Sequence, residues 1–346
     1  MRTTDQPTAA QPTVDQLRKL YEAAAAFKQA EPWKWLYDAD LICVENPEDG
    51  VIGYCSVMGR GGTYFALGVY LGEAGFAGFN YLMGNGDTIP HYETLHYQDA
   101  LMASFEDREM LDKKDREEIK GLGLAFRGRN AWPQFRRFEP GYFPWFITSA
   151  ECSFLTTALR QVLIVANQYR QGQVELDYAQ GETVLRYSAE ENGLRTWESR
   201  EFQLDIPHLA YSPVEFLDDL LVQRLKRTGT RTNAILQVET CYLPMPIQEA
   251  KGRRPSFPRA FIVAEKKSGV VLDCHAYADP EDDANETLTK IGRLFSEKGI
   301  PKEIQVRPGK MGPILEDFCK KTDVKLRVVD RLASIEIFVR GLSEQF

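Results

Sequence analysis

Apolar residues in the first half of the chain follow helical and strand periods in turn. Behind Thr13 and Gln16, which form a capping-box pair, apolar side chains recur at helical spacing and predict a helix. Apolar runs on either side of the turn at 47–50 predict a hairpin. The alternation of apolar and polar residues over 172–204 predicts an antiparallel β-meander. We therefore expect an N-terminal α+β domain over 13–204, built from a helix and a β-meander.

The second half of the chain has a different order of periodic segments. A helix beginning at Ser212 follows a domain boundary expected near Asp205. Three apolar strands come next, and helices and strands then alternate. The strands are predicted at 234–242, 260–265, 270–277, 303–306 and 325–329, and the helices at 280–298, 310–321 and 331–341. The sequence thus predicts an α/β domain over 205–346 and an α+β fold class for the whole chain.

Composition and charge narrow the classes of function. With 43% hydrophobic residues the chain can form a folded core, and only residues 1–12 have the composition of a disordered tail. From Glu201 onward the chain has 22 Lys+Arg and 22 Asp+Glu, so the net charge of −8 arises in the first 200 residues. A nonspecific nucleic-acid binder usually carries an excess of positive charge, so this function is disfavoured. No stretch reaches the roughly 18 consecutive apolar residues of a membrane span, and no signal peptide is recognised. We expect a cytoplasmic protein with reduced, buried cysteines.

Three strands followed by the order αβαβα resemble the RNase H-like fold of retroviral integrases and transposases. The sequence "FIVAEKKSGVVLDCHAY" (261–277) resembles the second hairpin of an integrase core, and "KGIPKEIQVRPGKMGPILEDFCKK" (298–321) resembles its fourth strand and next helix. This resemblance covers 232–342 and implies a mixed sheet. The whole chain also resembles a family of uncharacterised two-domain bacterial proteins, through "GLGLAFRGRNAWPQFRRFEPGYFPW" (121–145) and "FIVAEKKSG" (261–269).

The resemblance to RNase H-like proteins implies where an active site would lie. Nucleases of this fold bind two metal ions with carboxylates from the first strand, the fourth strand and a late helix. At these positions the chain has Glu239 on the first strand and Glu336 on the late helix, but Arg307 in place of the fourth-strand acid. A cation about 4 Å from a divalent ion repels it by several kcal/mol. We therefore expect a catalytically degenerate site without metal, in which Arg307 and Glu239 form an ion pair.

A metal-dependent nuclease is the enzymatic alternative. Its cofactor would be Mg²⁺ or Mn²⁺, held by Glu239, Glu336 and a further acid such as Asp273 or Asp330. This alternative requires three carboxylates within reach of one metal site.

Arginines and aromatic residues alternate over 126–146, where prolines and glycines predict an extended loop. Stacked arginines and aromatics bind single-stranded nucleic acid or other planar anions, and they also attach irregular loops to a domain core. Both interpretations stay open. The candidates for ligand or partner contact are Arg127, Arg129, Trp132, Arg136, Arg137 and Trp145. Basic clusters at 224–231 and 251–259 would extend a nucleic-acid surface if all three segments lie on one face.

These observations favour a non-catalytic binding or adaptor protein over an enzyme. Its second domain would be a degenerate RNase H-like module in which Glu239, Arg307 and Glu336 are remnants of a catalytic site. No cofactor is expected unless the nuclease alternative holds. The partner would be a protein, or a nucleic acid recognised through local basic patches, and not a membrane.

Overall fold

The computed structural model describes residues 10–86, 88–191, 194–206, 211–277 and 279–343. The chain divides into two units. The first comprises Met1–Asn80, Tyr97–Pro140 and Pro144–Pro207, and the second comprises Tyr81–His96, Gly141–Phe143 and His208–Phe346. The main division lies at 207–208, and Tyr81–His96 belongs to the second unit. Of the predicted tail, residues 1–9 lie outside the described part of the chain.

Helices and strands both contribute to each unit, which confirms the α+β fold class. The helices are α1 Val14–Ala30, α2 Gly72–Asn85, α3 His91–Thr94, α4 Lys113–Gly121, α5 Ser149–Arg170, α6 Asp219–Thr228, α7 Asp283–Lys298, α8 Met311–Thr322 and α9 Ala333–Ser343. The strands are β1 Ile42–Glu45, β2 Ile52–Met58, β3 Ala66–Leu71, β4 Ala100–Glu106, β5 Trp132–Phe138, β6 Glu182–Glu191, β7 Leu194–Gln203, β8 Ile235–Tyr242, β9 Arg259–Glu265, β10 Val271–Tyr277, β11 Glu303–Val306 and β12 Lys325–Val328.

The first unit is built on a seven-stranded sheet with the order β5-β4-β3-β2-β1-β6-β7. Strands β1 to β5 form an antiparallel meander, and β6 and β7 form an antiparallel hairpin. The hairpin joins the meander through a parallel pairing of β1 with β6. This single parallel pair makes the sheet mixed, a feature that the local alternation of residues did not predict.

Two capped helices cover one face of this sheet. α1 begins with the predicted capping box, in which the Thr13 side chain accepts from the Gln16 backbone N–H and the Gln16 side chain accepts from the Thr13 N–H. α5 begins with an equivalent box between Thr148 and Glu151. The buried Phe27 of α1 belongs to the same hydrophobic core as the buried residues of α5. Capping fixes where the helices start, and burial of their apolar faces holds them on the sheet.

The prediction of a loop throughout 126–146 is wrong at Trp132–Phe138. These residues form β5, an edge strand paired antiparallel with β4. Pro133 is compatible with this position because an edge strand has one side on which no neighbouring strand needs its N–H groups. The remainder of the segment lies outside regular strands and helices as far as Ser149.

The second unit contains a five-stranded sheet with the order β10-β9-β8-β11-β12. β10, β9 and β8 are antiparallel, and β8, β11 and β12 are parallel. This agrees with the predicted order of three strands followed by αβαβα and with the expected mixed sheet. Along β8, Leu236 and Val238 share a core with α7 and α8, whereas Cys241 shares a core with α9. The alternation of side chains therefore directs Thr240 to one face and Glu239 to the other.

One edge of this sheet collects several strand ends. The carboxyl ends of the parallel strands β8 and β11 lie at the same edge, together with the end of β10 and the start of β9, since Tyr242 pairs with Arg259 and Arg259 with Tyr277. In open α/β sheets, ligand sites form at the carboxyl edge where the strand order reverses. This edge, called the carboxyl edge below, holds the candidate site.

Two further expectations concern the membrane and the thiols. Within the described part of the chain, none of the helices has the length and apolar character needed to cross a membrane. The six cysteines are unpaired, and five of them are buried; Cys274 on β10 is exposed, which differs from the expectation.

Candidate functional site

The carboxyl edge brings together Glu239, Arg307 and Glu336. Arg307 follows β11 directly, next to Glu239 of the neighbouring strand β8, and Glu336 lies in the first turn of α9. Arg307 Nη1 donates to Glu239 Oε2 at 2.9 Å, and Arg307 Nη2 donates to Glu336 Oε1 at 3.0 Å. The ion pair expected between Glu239 and Arg307 is therefore present, with Glu336 as a second carboxylate on the same guanidinium.

Arg331 completes this group from the solvent side. Its Nη2 donates to Glu336 Oε2 at 2.9 Å, and 74% of its side chain is exposed. Both oxygens of Glu336 thus accept from guanidinium groups. Two arginines and two carboxylates form a chain of charge-assisted hydrogen bonds with no net charge.

Burial and neighbouring charges shift the pKa values of these groups. Burial raises the pKa of Glu239 to about 7, against the opposing effect of Arg307. Burial alone would also raise the pKa of Glu336, but hydrogen bonds from Arg331 and Arg307 bring it below its usual value. Burial lowers the pKa of Arg307, and the nearby Glu239 and Tyr92 outweigh this effect and raise it. Arg307 is consequently a permanent cation in the position of a metal-binding acid.

A second charged group lies at the same edge on the opposite face of the sheet. The buried Asp283, at the start of α7, accepts from Arg259 Nε at 3.0 Å and from Arg259 Nη2 at 2.9 Å. Thr240, Tyr277 and Lys310 donate to the same carboxylate. Burial and Arg259 lower the pKa of Lys310 to about 7. Asp283 is therefore a fully used acceptor that holds three strand ends and the loop before α8 together.

Residues from Tyr81–His96 cover part of the carboxyl edge. Glu93 of α3 accepts from the backbone N–H of Tyr242 at 2.9 Å; burial raises its pKa, and Arg259 opposes this. His96 Nδ1 accepts from the Gly141 N–H at 3.3 Å, and its ring lies 4.2 Å from that of Tyr242. Burial and Arg259 lower the pKa of His96 to about 3. Sequence reasoning missed these residues, because the only local signal is one acid among aromatic and histidine residues.

Tyr92 of the same helix lies beside Arg307. The two side chains interact, and this interaction lowers the pKa of Tyr92 and raises that of Arg307, although burial raises the pKa of Tyr92 more. Both the Tyr92 hydroxyl and Arg307 Nε are buried.

A cavity of about 650 Å³ opens beside this group within the second unit. Its lining combines the start of α3 with the exposed side of α9. The lining residues are Thr88, Ile89, Pro90, His91, Tyr92, Arg331, Glu336 and Arg340. Glu336 is thus a shared wall between the cavity and the buried charge group.

The further acids proposed for a nuclease do not join Glu239 and Glu336. Asp330 is exposed, and Asp273 pairs across β10 and β9 with Val263. Within the described residues, no three His, Cys, Asp or Glu side chains are grouped so that they could hold a metal ion.

The arginine–aromatic candidates lie in the first unit and divide into two kinds. Arg136 is buried and donates to Asp115 at 2.9 and 2.6 Å and to Asp112 at 2.7 Å. Arg137 pairs with Asp99 at 2.5 Å and with Glu151 at 3.2 Å.

Trp132 and Trp145 are half-buried, Trp132 beside Phe126 and Trp145 beside Phe146. Arg127 and Arg129 are exposed, and 91% of the Arg129 side chain is accessible. The surface that these candidates offer to a ligand is thereby centred on Arg127 and Arg129.

The other two basic clusters lie in the second unit and are partly engaged. Arg259 is buried on Asp283, and Arg231 donates to the backbone oxygens of Thr322 and Asp323. Arg254 lies over the ring of Tyr142. These contacts use several of the arginines that a nucleic-acid surface would require.

Comparisons with known proteins assign domains without an activity. No curated protein matches the chain significantly. One solved structure with a similar segment is described as "CryoEM structure of simian T-cell lymphotropic virus intasome in complex with PP2A regulatory subunit B56 gamma". The two sequences are 14% identical over the match, and the TM-score is 0.25. The match covers 34% of this chain and 43% of the solved chain, so it spans less than half of the solved chain's length. At this level the likeness carries no argument.

Family models match both halves of the chain. Residues 18–186 match a domain of unknown function, DUF7309, and residues 221–343 match a second domain of unknown function, DUF6930. Each half of the chain is therefore similar to a domain whose function is not known.

Proposed function

We propose that the second unit is a non-catalytic binding or adaptor module built on a degenerate RNase H-like domain. The strand order β10-β9-β8-β11-β12 and the placement of Glu239, Arg307 and Glu336 support this proposal. The observation that carries it is the guanidinium of Arg307, which bonds both carboxylates that a metal would need. The proposal takes the protein to be bacterial and cytoplasmic, as the resemblance of its sequence implies.

Electrostatics at the carboxyl edge argue against metal binding there. A divalent ion held by Glu239 and Glu336 would lie about 4 Å from Arg307, where repulsion between a divalent and a monovalent cation amounts to several kcal/mol even at an effective dielectric constant of about 20. The acids and bases in the hydrogen bonds described at this edge are equal in number. The acids are Glu93, Glu239, Asp283 and Glu336, and the bases are Arg259, Arg307, Lys310 and Arg331. A pair of hard cations requires a clear excess of negative charge.

The segment containing α3 adds a second argument. In RNase H-like nucleases the substrate strand must reach the carboxyl edge, because the catalytic metals lie there. Here Glu93 accepts a hydrogen bond from the end of β8, and the ring of His96 packs at a tilt against that of Tyr242. These contacts cover backbone and ring surfaces of the carboxyl edge. They therefore favour a structural role of this edge over a catalytic one.

Metal titration of the full chain tests the proposal. Calorimetry and thermal melting with Mg²⁺ and Mn²⁺ should give no specific binding and no rise in Tm, because only a ligand of the native state raises Tm. Nuclease assays on single-stranded DNA, duplex DNA and RNA should show no cleavage that depends on Glu239.

The matched variants are Glu239→Gln and Glu316→Gln, the latter at an exposed position of α8. A metal-dependent rise in Tm that wild type and Glu316→Gln share and that Glu239→Gln lacks would overturn the proposal in favour of the metal-dependent nuclease. Salt-sensitive binding of a single-stranded oligonucleotide without cleavage would favour the nucleic-acid-binding alternative instead.

A further inference from the structure

We propose that the cavity between α3 and α9 binds a small organic oxyanion, a phosphate monoester or a carboxylate, through Arg331. The proposal deepens the binding function proposed above by naming a ligand class, and it rests on that function for its biological meaning.

The size and composition of the cavity suit a small molecule. Its volume of about 650 Å³ lies within the range of small-molecule sites, roughly 300–1,000 Å³. Ile89, Pro90 and the ring of Tyr92 supply an apolar wall, and charged side chains of α9 lie among the other lining residues. This combination is typical of sites that hold an organic body by its apolar surface and orient it through a few polar groups.

The charge of the lining favours an anion. Arg331 and Arg340 line the cavity with one acid, Glu336, whose two oxygens already accept from Arg307 and Arg331. The negative charge of Glu336 is therefore compensated before any ligand arrives. With Glu336 compensated, the exposed guanidinium of Arg331 is a group at the cavity suited to bidentate contact with a carboxylate or phosphate.

Arg331 retains donors for such a contact. A guanidinium carries five N–H groups in a planar fork. Among the described residues, Arg331 donates only through Nη2, to Glu336, and 74% of its side chain is exposed. Its bond to Glu336 orients the fork, which reduces the entropy lost when a ligand binds.

The Tyr92 hydroxyl is a second polar group at the cavity wall. It is buried beside the guanidinium of Arg307, which interacts with it and opposes the rise of its pKa that burial causes. A hydroxyl can accept from Arg307 and still donate to an oxyanion in the cavity, directly or through a bridging water.

Isothermal calorimetry and thermal melting of the full chain at low ionic strength test the inference, with phenyl phosphate, benzoate and inorganic phosphate as probes. We expect phenyl phosphate or benzoate to bind with one site per chain and to raise Tm. Binding of phenyl phosphate without benzoate identifies a phosphate ester as the ligand class, and the reverse identifies a carboxylate.

Variants locate the site. Arg331→Gln should weaken binding by about tenfold or more, since it removes the exposed guanidinium. Arg327→Gln is the matched control, an exposed arginine of β12 outside the cavity, and should bind within about twofold of wild type. Tyr92→Phe should weaken binding, because it removes a hydroxyl donor from the cavity wall.

Two results would overturn the inference: no binding of either organic probe up to about 10 mM, or equal binding by wild type and Arg331→Gln. Either result leaves the metal titration unaffected, so failure of the anion site is distinguishable from failure of the proposed non-catalytic role.

Discussion

Arg307 Nη1 lies 2.9 Å from Glu239 Oε2, across the neighbouring parallel strands β11 and β8 of the second sheet. The same guanidinium bonds Glu336 at 3.0 Å. One cation thus compensates two carboxylates that are shielded from water. Removing one of the three groups lowers the stability of the unit, by an amount that depends on the partners left to the two that remain.

Above pH 7, where the Glu239 carboxylate is charged, replacing Arg307 by leucine is expected to destabilise the second unit by about 3–5 kcal/mol, because Glu239 loses its ion-pair partner while it stays buried. Tryptophan fluorescence reports on the first unit, since all five tryptophans lie there. They are Trp33, Trp35, Trp132, Trp145 and Trp197. Calorimetry should show the loss, whereas tryptophan fluorescence should report a first unit close to wild type.

Arg327→Gln provides the control for the loss of one arginine, and should change stability by less than about 0.5 kcal/mol. A loss below about 1 kcal/mol in Arg307→Leu would show that Glu239 does not depend on this ion pair.

Glu239 should make the second unit less stable as pH rises. The folded state retains the carboxyl proton up to about pH 7, whereas the unfolded state releases it near the ordinary value of 4.5. Between these values the folded state binds more protons, so the free energy of unfolding falls as pH increases, by about 3 kcal/mol at most. The Glu239→Gln variant has no titrating carboxyl at this position. Its stability relative to wild type should therefore rise from pH 4.5 to pH 7 and then stay constant.

The comparison between variant and wild type is needed because other groups titrate nearby. The low pKa of His96 makes stability increase with pH between about 3 and the ordinary value of 6.5, and that of Lys310 makes it increase from about 7 to 10.5. The effect of His96 cancels in the difference of Tm between Glu239→Gln and wild type, and that of Lys310, whose pKa Glu239 raises, begins only near pH 7. A difference that does not vary between pH 4.5 and 7 would contradict the prediction; Glu316→Gln serves as the control.

Asp283→Asn should destabilise the second unit by about 3–5 kcal/mol. The amide deprives the buried Arg259 of the carboxylate that it bonds and turns an N–H₂ group toward side chains that are themselves donors. Hydrogen exchange should show lost protection at the ends of β8, β9 and β10, which this carboxylate joins.

The neighbouring Asp282 is exposed and its side chain makes no capping bond, so Asp282→Asn is the matched control and should be nearly neutral. Equal behaviour of the two asparagine variants would contradict the role assigned to Asp283.

In the first unit, Arg136→Met should cost about 3–5 kcal/mol, because it leaves the buried Asp115 without its guanidinium partner. Arg129→Gln, at a side chain that is 91% exposed, should stay within about 0.5 kcal/mol of wild type. Tryptophan fluorescence during urea unfolding measures both. A small effect of Arg136→Met would restore this residue as a candidate for ligand contact.

Much of the fold was predictable because it depends on local patterns. The Thr13–Gln16 capping box is present, and the order of strands and helices in the second unit agrees with the predicted one. Glu239 and Arg307 were also expected to meet, since a strand order with β8 beside β11 makes them neighbours. The sequence was less informative over 126–146, where prolines and glycines concealed the edge strand β5.

Residues that act over long sequence separations were not predictable. Glu93 accepts a hydrogen bond from the backbone N–H of Tyr242, which lies 149 residues later in the sequence. No periodicity or motif connects the two residues. In the sequence Asp283 is one of several acids at the start of a helix. It is nevertheless the buried acceptor for Arg259 and Lys310, whereas its neighbour Asp282 is exposed.

The sequence by itself determined the positions of the main helices and strands, because capping and apolar periodicity are local properties of the chain. It also determined that an arginine stands at the fourth-strand position. Only the tertiary structure decided which charges are buried together, that Tyr92 and Glu93 belong to the second unit, and that a cavity lies against Glu336. The physical reason is that a buried charge is stable only with partners at the right distance, and tertiary packing brings those partners from remote parts of the chain.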